Sequence, residues 1–177
     1  MTFTVRELWA AFHGMALGGG YLLLFSGMIY ILWSLKPGWA AATAAATQVK
    51  ILKAGTVLMA VVMWLTVFIG TYVIYPWYRA KPPAGLTDLA DYPRYFLVAN
   101  PNLAAWHNFG MEWKEHVAWL APILASAVAA VICRYGPKLI EEAQLRKYLI
   151  ILFSFAFVIA GIVALLGAFI TKAAPLY

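Results

Sequence analysis

Four apolar stretches dominate the chain, each long enough to cross about 30 Å of hydrocarbon as one helix of about 20 residues. They run over residues 8–35, 51–75, 106–133 and 148–170. No charge interrupts residues 54–78 or 149–171. The third stretch differs, because Glu112, Lys114 and Glu115 sit in its first half and leave only 117–133 uncharged. A segment in lipid must satisfy its backbone N–H and C=O groups internally, so each stretch is expected to be a helix. Composition agrees: with 64% hydrophobic and 11% charged residues among 177, the chain has more apolar surface than one soluble core of this size can hide. The expectation is an all-α integral membrane protein, residues 1–177 forming one membrane domain built as an antiparallel four-helix transmembrane bundle. The first stretch reads as a span and not as a signal peptide, since Arg6 is its only early base and the run exceeds an ordinary signal-peptide core.

Several function classes fall away. A single cysteine, Cys133, allows no internal disulfide, and without a Cys-x-x-Cys-His motif there is no covalent c-type haem. A phosphate-binding loop and a dinucleotide glycine fingerprint are both missing. The net charge of +6 does not call for nucleic acid, because the bases cluster at the ends of the apolar runs, where lipid headgroups lie. Lys36, Lys50, Lys53, Arg134, Lys138, Arg146 and Lys147 fall on the face of the two short connections. Arg6, Arg79, Lys81, Arg94, Lys114 and Lys172 fall on the other. Seven bases against six put the short connections in the cytoplasm, with the termini and the 79–105 loop on the periplasmic side of a bacterial inner membrane.

That loop is expected to be partly helical. Pro82-Pro83 starts it extended, Thr87 or Asp88 caps a short turn of helix, and Pro93 opens a piece whose Tyr95, Phe96, Leu97 and Val98 press onto the membrane or a neighbour. Asn100-Pro101-Asn102 then turns the chain into the third span.

All three histidines lie toward the loop face. Ionisable groups at membrane depth are costly, which makes each a functional candidate. His107 and His116 are nine residues apart, so on a straight helix they point to opposite sides. His116 begins the uncharged stretch and is taken as the inward one. Seven-residue steps from His13 reach Gly20 and Gly27, whose missing side chains let a flat ring or another backbone approach. The site expected from these residues is a haem b between the first and third spans, with His13 and His116 as axial ligands and His107 or Met111 as alternatives. Glu112, Lys114, Glu115 and Arg94 are the candidates for proton exchange with a quinone or quinol near the headgroups. A non-haem metal on Glu112, Glu115, His116 and His13 is the lesser metal reading, because the sequence lacks the paired Glu-x-x-His units of a di-iron bundle.

The function expected on this reading is that of a small subunit of an electron-transfer complex, not a stand-alone catalyst. It would relay electrons between quinone or quinol and a partner, among other membrane and periplasmic subunits. The alternatives are a cofactor-free anchor or scaffold and, further off, a chlorophyll-binding subunit.

Overall fold

The computed structural model describes residues 3–38 and 41–174, and these described residues form four long helices and one short one. They are α1 (Val5–Ser34), α2 (Thr43–Tyr78), α3 (Pro93–Ala99), α4 (Trp106–Ile140) and α5 (Ala143–Ala173). All four long helices are apolar enough to cross a membrane, with mean hydropathy from 1.7 in α1 to 3.0 in α5. The protein is a multi-pass membrane protein with an all-α bundle, and the described residues contain no strand.

Local chemistry sets where the helices begin and end. At the start of α1, the Glu7 amide donates to Thr4 Oγ1 (3.2 Å) while Glu7 Oε2 accepts from the Thr4 amide (2.7 Å), a reciprocal cap. Pro37 and Gly38 turn the chain after α1, and Gly38 has a φ of 74° that a side chain would resist. α2 starts at Thr43, eight residues before position 51, because a helix can continue past the hydrocarbon and carry Lys50 and Lys53 into the headgroup layer. Lys53 and Val49 reach across to the end of α4, where a Cβ on Gly136 would lie 2.6 Å from Lys53 Cε and 2.9 Å from Val49 Cγ1. Arg146 closes the tight α4–α5 connection. Its buried guanidinium donates through Nη1 to the Leu139 (2.5 Å) and Ile140 (3.1 Å) carbonyls, which the end of α4 leaves unpaired.

Around the bundle the order is α1, α2, α4, α5. Neighbours α2 and α4 pack most extensively, and α1 meets α2 and α5. The first and third spans are therefore diagonal. Tyr21, Met28 and Leu32 of α1, Met59 and Met63 of α2, Ala125 and Val128 of α4, and Phe153 of α5 belong to one continuous core. Phe25 stacks on Phe157 at 4.1 Å to join α1 to α5, and Trp64 Nε1 donates to Ser126 Oγ at 3.0 Å to join α2 to α4.

In the loop, α3 starts at Pro93, whose fixed φ suits a first helical position and whose missing N–H is not needed there. Asp88 forms a side-chain turn instead of a helix cap, accepting from the Ala90 amide at 3.0 Å. Asn100 accepts from the Asn102 amide in the same way before α4. Leu97 is fully buried, and it shares a second core with Tyr78, Met111, Ile170 and Ala174. That cluster joins the loop to the ends of α2 and α5 and the start of α4.

Candidate functional site

An up-and-down bundle brings the start of α1, the end of α2, the start of α4 and the end of α5 to the loop face. Three of these segments leave the ordinary helical path. Phe12–Gly19, Gly70–Ile74 and Trp106–Met111 are π-helical, with the wider i→i+5 turn that is rare in proteins and recurs at functional sites. Each contains glycine: Gly14, Gly18 and Gly19 in the first, Gly70 in the second, Gly110 in the third. The sequence reading missed these segments, and the glycines are the signal that could have found them.

His107 lies in the third π segment and is 7% exposed. Arg94 Nε, on α3, donates to its Nε2 at 3.3 Å, and Nδ1 is 2.9 Å from the Tyr78 hydroxyl on α2. A guanidinium can only donate, so Nε2 is the accepting nitrogen; in the neutral ring Nδ1 then carries the proton and donates to Tyr78 Oη. One imidazole thus ties the loop helix to two spans.

His116 is the opposite. Its side chain is 74% exposed, Nδ1 lies 2.7 Å from the Glu112 carbonyl one turn back, and the half-exposed Glu112 carboxylate is 4.0 Å away. The two histidines do point to opposite sides, but the inward one is His107, which corrects the expectation that His116 faces the bundle. The cause is α3, which covers His107 at a depth where water would otherwise reach it.

A second polar group lies on the inner side of the same end. The His13 ring rests on Gly70 of α2, where a Cβ would lie 2.8 Å from Cε1, and its Nδ1 is buried without a hydrogen-bond partner. Lys114 runs across to α5, where a Cβ on Gly167 would lie 2.5 Å from Nζ, and its ammonium acts electrostatically on His13. Glu115 sits beside the Tyr75 hydroxyl with Oε1 buried and unpartnered. The sequence-predicted group therefore divides. His13, Lys114 and Glu115 turn inward, Arg94 joins His107, and Glu112 goes outward with His116.

These placements do not present two imidazoles to a common iron. His13 packs on α2, and the side chain of His116 is turned outward and exposed. Of the alternative ligands, both nitrogens of His107 are engaged, and Met111 packs in the cluster with Leu97 and Ile170. Gly20 and Gly27 do not mediate close approach either, since a Cβ on either would meet nothing within 4 Å. Close approach occurs instead at Gly70, Gly167 and Gly136, and at Gly55, whose Cβ would overlap Met28 Sδ. Among the described residues no three of His, Cys, Asp or Glu gather as a metal site.

The fold and site define a four-span membrane protein with a polar, loop-capped end. Comparison with family models, curated proteins and solved structures finds no match for the chain.

Proposed function

We propose that the protein is an anchoring subunit of a larger membrane complex, whose loop-side end and adjoining α4 face hold partner subunits. The observation that carries this reading is the exposed pair Glu112 and His116 on the outer side of a span. Ionisable groups within spans ordinarily face a bundle interior, a water-filled cavity or a partner, because lipid solvates them poorly. Phe109, Leu120 and Ile123 on the same helix are exposed too and supply apolar contact area for a neighbouring span. The pinned α3 adds a rigid loop face, so a partner meets a surface that is already ordered and binding costs less conformational entropy. On the balance of bases the loop face is periplasmic in a bacterial inner membrane.

A second reading is favoured by the buried, unpartnered His13 Nδ1 and Glu115 Oε1 beside Lys114. Such groups can exchange protons with a quinol headgroup, and that would make the subunit part of an electron-transfer complex.

Native electrophoresis of mildly solubilised membranes tests the anchoring reading. The wild-type chain is expected in a band well above its 19.6 kDa, and the double variant Glu112→Ala, His116→Ala is expected to shift at least half of it to the free subunit. A wild-type chain that migrates alone contradicts it. The quinol reading predicts quinone bound to the purified complex and lost on Glu115→Gln.

A further inference from the structure

Between the first turn of α1 and the loop lies a cleft of about 500 Å³, within the range of small-molecule sites, lined by Thr4, Val5, Arg6, Ala80, Asp91 and Tyr92. None of these residues is a member of the His107 hydrogen-bond network. Along the same helix, Leu8, Trp9 and Phe12 line a smaller, shallow apolar groove of about 210 Å³. Val5, Leu8, Trp9 and Phe12 follow the i, i+3, i+4, i+7 spacing of one helical stripe, so the groove continues from the cleft toward the hydrocarbon. Trp9 and Phe12 meet edge to face at 6.0 Å, and all four stripe residues are exposed.

Of the residues that line the cleft, Arg6 and Asp91 are the two charged ones, and an apolar track leads away from them. This is the form of a site for an amphiphile whose head bears both charges. We propose that the cleft and groove bind a phospholipid with a zwitterionic, amine-bearing headgroup of the phosphatidylethanolamine type. Arg6 takes the phosphate; a guanidinium has five N–H donors in a fork and can serve a phosphate together with a partner it already has. Asp91 accepts from the ammonium, and an acyl chain lies over Leu8, Trp9 and Phe12. The carboxylate supplies the selectivity. It repels a headgroup that is only anionic, and it gains no hydrogen bond from a quaternary amine, which has no N–H to give.

Native mass spectrometry of the full chain in detergent tests this with phosphatidylethanolamine, phosphatidylcholine and phosphatidylglycerol of identical acyl chains. Phosphatidylethanolamine is expected to bind about tenfold more tightly than either, a difference of about 1.4 kcal/mol. Asp91→Asn should bring it level with phosphatidylcholine, and Arg6→Gln should weaken all three lipids. Tightest binding of phosphatidylglycerol overturns the proposal, as does an ethanolamine preference that survives Asp91→Asn. Displacement of the lipid by a short-chain quinone also overturns it and assigns the cleft to quinone. None of these results depends on Glu112, His116 or Glu115, so failure here is separable from failure of the anchoring or quinol readings.

Discussion

His107→Leu is expected to release the loop helix while leaving the bundle intact. Leucine fills similar space but strands the Tyr78 hydroxyl, on a residue only 3% exposed, and frees the Arg94 guanidinium from its acceptor. Leaving a buried polar group without its partner costs about 1–3 kcal/mol, and more when the group is charged. With two groups affected, the local cost is about 3 kcal/mol, which corresponds to roughly 100-fold faster opening of that segment. Hydrogen exchange reads this directly. Amides of residues 96–99 should lose about two orders of magnitude of protection, those in the middle of α5 should be unchanged, and His116→Leu should leave both as they are. Retained protection of α3 in His107→Leu would mean that Leu97 and its neighbours hold the loop without the polar network.

The second large effect concerns glycine. At Gly70 even a Cβ would lie 2.8 Å from the His13 ring, so Gly70→Leu forces the imidazole or the α1–α2 packing to move. Overpacking of this kind costs about 1–3 kcal/mol. Gly20→Ala and Gly27→Ala place their methyl groups in open space, and they gain up to about 0.5–1 kcal/mol from the stiffer helical backbone. Thermal unfolding in detergent should therefore rank Gly70→Leu far below wild type and the two α1 variants level with it or slightly above. The reverse order would restore the α1 glycine row as a close-contact surface.

These two effects mark where the sequence was informative and where it was not. The four spans were legible because lipid imposes a length and an apolar composition that few other constraints mimic, and α3 was legible from Pro93 and the apolar residues after it. What the sequence does not carry is the order of helices around the bundle. Nothing in the pattern of α1 and α4 says that they lie diagonally, with Tyr21, Met59 and Phe153 in the core beside them. The choice between His107 and His116 went astray for a related reason. Distance from the uncharged stretch is a fair guide to burial only when no loop folds back, and Arg94 on α3 folds back over His107. The π-helical turns compound this, since they alter which residues face inward without changing the hydropathy profile. Lys114 and Glu115 were recognised as unusual from charge alone, whereas their inward course toward Gly167 and Tyr75 depends on packing partners more than 35 residues away in sequence.

If the chain anchors a complex through α4, another protein covers the outer face of that helix in the membrane. A photoreactive residue placed at position 116, with a control at the exposed Leu165 of α5, tests it in intact membranes. Irradiation is expected to give one discrete protein–protein adduct from position 116 in high yield and lipid adducts from position 165. Lipid adducts alone from both positions would contradict the account, because the Glu112 and His116 face would then be lipid-exposed and the chain would stand without a partner there.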